Sequence, residues 1–123
     1  MNSKLKEKLR KFNTKNSNDI FTSKKYKKFE KYINSCISGE GMIGENSYLM
    51  LWDRCDIERL NNGYGVNEFL TDCILIGSDG GDTAYGINEK GKFFSVPFIG
   101  MDDSEIKIIG TNFEEFIEKL FEL

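Results

Sequence analysis

Between Asp72 and Ile109 the chain meets a turn signal about every ten residues, with no helical pattern in between. Such spacing points to an antiparallel meander, because parallel neighbours need crossovers of about a dozen residues or more. Cys73-Ile74-Leu75-Ile76 is a nearly continuous apolar run that suits a central strand. The turn Ser78-Asp79-Gly80-Gly81-Asp82 leads to a strand over Thr83–Ile87, and Asn88-Glu89-Lys90-Gly91 leads to one over Phe93–Val96. Pro97 ends that strand, having no N–H for the ladder. A last strand is expected over Glu105–Ile109. Upstream, Tyr48–Trp52 also reads as a strand, and residues 38–46 read as a Gly-rich connector.

The helical signals lie outside this block. Phe113, Phe116, Ile117, Leu120 and Phe121 fall at i, i+3, i+4, i+7 and i+8, one apolar stripe expected to lie across a sheet face. Thr111 and Glu114 have the spacing of a capping box ahead of it. Thr22 or Ser23 is expected to cap a helix over 24–35, with Tyr26, Phe29, Tyr32 and Ile33 on one face. Lys24 and Lys25 at its start oppose the macrodipole, so this helix must depend on docking. Asp53 can cap a short helix that turns Ile57 and Leu60 inward and ends at Gly63. A short helix over 4–12, with Leu5, Leu9 and Phe12 on one side, precedes a polar loop over 13–18. The fold class is α+β: a single domain over 1–123, with a twisted, mainly antiparallel sheet flanked by N-terminal helices and a C-terminal amphipathic helix. Residues 1–20 are read as a basic, loosely ordered arm.

Absences restrict the chemistry. The chain has no histidine, which removes the commonest general base, the commonest metal ligand and every Ser-His or Cys-His pair. Cys36, Cys55 and Cys73 stand 19 and 18 residues apart, so neither a dithiol motif nor a zinc knuckle is suggested. They read as structural thiols in a reducing compartment. Apolar runs reach only about five residues, too short for a transmembrane helix. No metal, cofactor or catalytic residue is expected. The composition fits a soluble, cytoplasmic chain.

Charge is divided. Residues 1–31 carry 11 Lys/Arg against 3 Asp/Glu, a net +8, whereas residues 32–123 carry 6 against 17, a net −11. The basic stretch reads either as a solvated helical face or as an arm for nucleic acid or a membrane surface. Its single Arg favours the former. The acidic body should repel nucleic acid and attract basic proteins.

Gly77-Ser78-Asp79-Gly80-Gly81-Asp82 superficially suggests a phosphate loop. Two aspartates flank its glycines, however, and a strand follows it instead of a helix, so it reads as a hairpin turn. Trp52, the sole tryptophan, reads as a half-buried anchor that can also meet a partner. The pairs Asp53/Asp56 and Asp102/Asp103 carry no feature that would set their pKa values apart for acid–base work.

The order and spacing of Leu51-Trp52, Ile57, Leu60-Asn61, Glu68-Phe69-Leu70, Ile74 to Asp82, Tyr85-Gly86-Ile87, Gly91 and Phe113-x-x-Phe116-Ile117 resemble the SUKH superfamily. This is a group of bacterial immunity proteins related to a fungal cell-wall assembly regulator. The resemblance covers about residues 24–123 and is most specific from Trp52 to Ile87. The motif positions it carries over are Trp52, Gly77, Gly80 and Gly81. It departs where Phe21-Thr22-Ser23-Lys24-Lys25-Tyr26 replaces the family's Leu-Pro-x-x-Tyr, and where Asp82 replaces a third glycine. The resemblance implies an α+β fold without catalysis, acting by binding a cognate protein toxin, often a basic nuclease, inside the producing cell. On that reading Asp79, Asp82, Asp102, Asp103 and Glu105 are expected to supply charge at the interface, and Trp52 an anchor. Two rivals are a regulatory protein–protein interaction module and a nucleic-acid binder using the Lys-rich N-terminus.

Overall fold

In the computed structural model, residues 3–15 and 18–122 are described. Among them, seven strands form one antiparallel sheet in simple sequence order. They are β1 (Phe12–Lys15), β2 (Ser38–Ile43), β3 (Ser47–Leu51), β4 (Cys73–Ser78), β5 (Thr83–Asn88), β6 (Phe93–Pro97) and β7 (Lys107–Gly110). The helices are α1 (Ser3–Lys8), α2 (Glu30–Asn34), α3 (Arg54–Tyr64), α4 (Val66–Phe69) and α5 (Phe113–Phe121). The α+β class and its flanking helices agree with the sequence reading.

The expected meander is present and extends further back than the turn spacing indicates. The Gly-rich segment is β2, which pairs with both β1 and β3. Part of the expected polar loop is β1, while residues 16 and 17 of that loop lie outside the described residues. Gly39 and Gly41 hide the period of two, because they occupy core-side positions opposite Leu51 and Leu49. β1 comes so near that a Cβ on Gly39 would lie 2.2 Å from the Asn13 carbonyl oxygen. A glycine there lets the strands close, and it also removes the apolar residue that marks a strand.

Two cores sandwich the sheet. On the first face, Ile74, Ile76, Tyr85, Ile87 and Phe93 meet Phe116, Ile117 and Leu120 of α5 and Leu5 and Leu9 of α1. Phe93 and Phe116 stack with centroids 5.1 Å apart, and Tyr85 meets Phe116 edge-on at 5.2 Å. On the second face, Leu75, Ala84, Phe94 and Val96 are roofed by Val66 of α4, by Leu70 just after it and by Met101 of the β6–β7 connection. The alternation of Ile74/Ile76 with Cys73/Leu75 is the strand period, here with both faces buried.

The cap of α5 is displaced by one residue from the expected box. Asn112, not Thr111, is the N-cap, and its Oδ1 accepts from the Glu115 N–H at 2.9 Å. The Thr111 hydroxyl donates to the Glu115 carboxylate at 2.7 Å. Glu115 thus takes the role that spacing assigned to Glu114, since Asn caps as well as Thr. The expected helix over 24–35 is also shorter: a 3-10 turn over Lys27–Phe29 leads into α2. Neither the 3-10 turn nor α2 has a side-chain cap at its start; the Ser23 hydroxyl instead accepts from the Tyr26 N–H at 3.0 Å, in the turn that precedes them. The last strand begins at Lys107, two residues later than expected, after a 3-10 turn over Asp103–Glu105.

Candidate partner-binding groove

The two halves of the second sheet face differ. Over β4–β6 it is roofed. Over β1–β3 it carries Asn13, Glu40, Met42, Tyr48 and Met50, all half-buried or exposed, and none packed into either core. Cross-strand register places Asn13, Glu40 and Met50 in one row and Met42 and Tyr48 in the next. The boundary between the halves is set by α3. β3 pairs with β4 at Met50/Ser78 and Leu51/Gly77, and the Trp52 N–H donates once more, to the Ile76 carbonyl at 2.9 Å, before α3 begins. A Cβ on Gly77 would lie 2.1 Å from the Met50 carbonyl oxygen, so the crossing needs glycine.

Asn61 on α3 takes over the ladder where β3 leaves it. Its Nδ2 donates to the Leu75 carbonyl and its Oδ1 accepts from the Leu75 N–H, both at 2.8 Å. The same Nδ2 donates to the Ile57 carbonyl at 2.8 Å. Asn61 is fully buried, and this pairing removes the penalty of burying an amide. The resemblance to the SUKH pattern includes this asparagine, whereas residue-by-residue reading gave it no role.

α3 also fixes Trp52, which precedes Asp53 at its N-cap. The Trp52 ring stacks on Tyr64 with centroids 6.1 Å apart, and Tyr64 meets Phe98 at 4.9 Å. The Phe98 N–H donates to the Asp82 carbonyl at 2.9 Å, tying this aromatic row to the β4–β5 turn. Gly80 in that turn has φ +83°, and a Cβ there would lie 3.0 Å from the Tyr48 ring. Asp79 Oδ1 closes the turn by accepting from the N–H groups of Gly81 and Thr83, at 2.8 and 3.2 Å. Gly80 is needed for both its conformation and its fit, whereas Gly81 has no positive φ and a Cβ there would meet only Asp79 Oδ1, at an ordinary 3.6 Å. Beyond Phe98, Ile99 is 87% exposed.

The result is a groove of about 350 Å³ between the bare sheet face and α3, with Met50, Trp52 and Leu60 in its wall. Glu40, Asp53 and Asp56 line it, and Asp79 and Asp82 stand at the adjoining turn. Tyr48 donates its hydroxyl to Glu40, which holds the phenol above its usual pKa. Lys15 of β1 donates to Asp53 Oδ2 at 2.5 Å, and that bond, with the carboxylate charge, raises the lysine pKa.

Of the six residues expected at the interface, Trp52 lines this groove, while Asp79 and Asp82 stand in the β4–β5 turn, tied to Trp52 through Phe98 and Tyr64. The other three lie elsewhere. Asp103 accepts from the N–H and hydroxyl of Thr71, at 2.9 and 2.7 Å, at the far end of β4 from Asp79. Asp102 caps the following 3-10 turn by accepting from the Ser104 hydroxyl and N–H, which lowers its carboxyl pKa. Glu105 closes the same turn. Met50, Tyr64, Phe98 and Glu40 were not found by sequence reading. Only an alternating exposed face on β2–β3 would have signalled Glu40 and Met50, and the glycines of β2 obscured it.

The N-terminal region is fastened to the body. Arg54 donates to the carbonyls of Asp19, Asn34 and Cys36, at 2.8, 2.9 and 2.9 Å. Asn34 exchanges two hydrogen bonds with the backbone of Phe21. Lys8–Glu118, Lys15–Asp53 and Lys28–Asp72 ion pairs join the basic stretch to the acidic body, at 3.6, 2.5 and 2.7 Å. Cys36 and Cys73 are buried and Cys55 is exposed, all as free thiols. No helix among the described residues is long and apolar enough to cross a membrane. No protein-family model matches the chain, and no curated protein matches it either.

Proposed function

We propose that the protein is a non-catalytic binding protein whose groove beside Trp52 takes a basic protein partner, and that it serves as an immunity protein against a cognate toxin in the cytoplasm of the producing cell. One observation carries the reading: half of one sheet face is left unroofed, with an aromatic row at one side and carboxylates at its rim. An apolar centre with a charged rim is the usual anatomy of an interface, and aromatic anchors there carry most of the binding energy. The acidic rim suits a partner that is itself basic, as a nuclease must be to hold phosphates. The resemblance to the SUKH superfamily supports the immunity role. Pairing of Lys8, Lys15 and Lys28 with body acids supports a structural role for the basic stretch over a nucleic-acid one.

The test is capture from the native cell with the full chain and with Tyr64→Ala and Asp82→Asn variants whose urea melts match the parent. A basic protein retained by the parent and lost by the variants is expected, and co-expression should protect cells from that protein. Association should slow as salt rises from about 50 to about 500 mM, over which the Debye length falls roughly threefold. Equal capture by the groove variants, or capture of nucleic acid alone, would overturn the proposal.

A further inference from the structure

The acidic end of the groove already holds a cation. Lys15 reaches across from the edge strand β1 to Asp53, and Arg59 reaches Asp56 at 3.2 Å along α3. Both cations are loosely held: the Lys15 side chain is 59% exposed and that of Arg59 is 70% exposed. Exposed pairs of this kind contribute only about 0–1 kcal/mol, so either can be exchanged. The Asp53 carboxylate is the less exposed partner, at 25%, and it directly follows Trp52 in the groove wall. The Trp52 indole is stacked on Tyr64 on one side and still lines the groove beside this part-buried carboxylate, a combination that suits a planar cation. A guanidinium can bond a carboxylate through two N–H groups and lie against an aromatic face, and an ammonium can do neither as well.

We infer that the groove recognises an arginine side chain of the partner, with Asp53 and Trp52 as its seat and Lys15 as an internal stand-in that the arginine displaces. This rests on the proposed groove function and adds its recognition chemistry. Lys15 is then a competitor for the site, not part of it. Its removal should strengthen binding, whereas a merely structural ion pair would leave binding unchanged or weaken it. The stand-in also keeps Asp53 neutralised when no partner is present.

The probe is a twelve-residue peptide with alternating Arg and Gly, against a control with citrulline in place of every Arg. Binding is read from the indole N–H resonance of Trp52, the chain's only tryptophan. The Arg peptide should shift that resonance and the citrulline peptide should not. Lys15→Ala and Lys15→Gln should each tighten binding about 2- to 5-fold, and Asp53→Asn should weaken it at least about 10-fold. Unchanged or weaker binding by both Lys15 variants overturns the inference. So does equal binding of the citrulline control. The same shift with Zn²⁺ or Ca²⁺ alone, and none with peptide, would instead make Asp53, Cys55 and Asp56 a metal site, because their ligand atoms lie within 4.8 Å of one another. A native partner lost by Tyr64→Ala but indifferent to Asp53→Asn and Lys15→Ala would sink this inference alone. A native partner retained by Tyr64→Ala, with the peptide behaving as expected, would sink the groove function and leave the arginine seat standing.

Discussion

The second sheet face has two halves built from the same pleat. Over β4–β6 the outward positions are Leu75, Ala84, Phe94 and Val96, and Val66, Leu70 and Met101 cover them. Over β1–β3 the equivalent positions are Glu40, Met42, Tyr48 and Met50, and among the described residues none of them is packed into either core. The first half therefore contributes to stability, and the second is free to contribute to binding. The difference arises at one place, where β3 leaves β4 and α3 is inserted between the two halves. A sheet roofed on both faces throughout would have no exposed apolar surface to offer a partner.

Truncation should expose this contrast most sharply. Phe94→Ala, in the roofed half and fully buried, should cost about 3–5 kcal/mol, measured by urea denaturation. Next is Asn61→Ala, which leaves the Leu75 N–H and carbonyl buried without partners and should cost about 2–4 kcal/mol. A loss under about 1 kcal/mol would show that α3 does not replace β3 on the ladder.

The alkaline limb follows. Burial pushes Cys36 up to about 12, Cys73 up to about 11 and Tyr85 up to about 12. Each folded-state value lies above the ordinary one, so the proton is held more tightly in the native state. The associated stability is complete below about pH 9 and is lost as pH rises toward about 12. The urea midpoint should hold from pH 7 to about 8.5 and fall by pH 10.5. Disulfide exchange with an aromatic disulfide at pH 8 should label the exposed Cys55 first and leave Cys36 and Cys73 protected until unfolding.

Gly39→Ala sharpens the comparison at the edge. It strains a positive φ and drives a Cβ into β1, which should cost about 1–3 kcal/mol. The loss should appear as faster amide exchange in β1, with β4–β6 unaffected. Smallest is Met50→Ala, half-buried on the bare face, which should cost under about 1 kcal/mol while weakening partner binding. A larger stability loss there would mean that this half is part of the core.

Legibility followed side-chain pattern. β4, β5 and β6 were readable because turn residues bound apolar runs, and α5 because five apolar residues share a helical face. β1 and β2 were not, because glycine at their closest approach leaves no pattern to read. The site was legible only in part. Trp52, Asp79 and Asp82 were found as a lone aromatic and as acids in a turn; Trp52 lines the groove, and the two acids belong to the turn beside it. Asp102 and Asp103 were chosen on the same grounds, yet their carboxylates serve Ser104 and Thr71. Charge in a sequence does not disclose whether a neighbour already satisfies it.

By itself the sequence determined the meander, the faces of its central strands, the C-terminal amphipathic helix and the division of charge, because each is written in local periodicity and residue type. Only the tertiary structure decided which half of the sheet is roofed, that Asn61 completes the ladder, and that Lys15 lies on Asp53. Those depend on contacts between residues 14 to 38 positions apart, made once the chain has closed, and no local pattern encodes them.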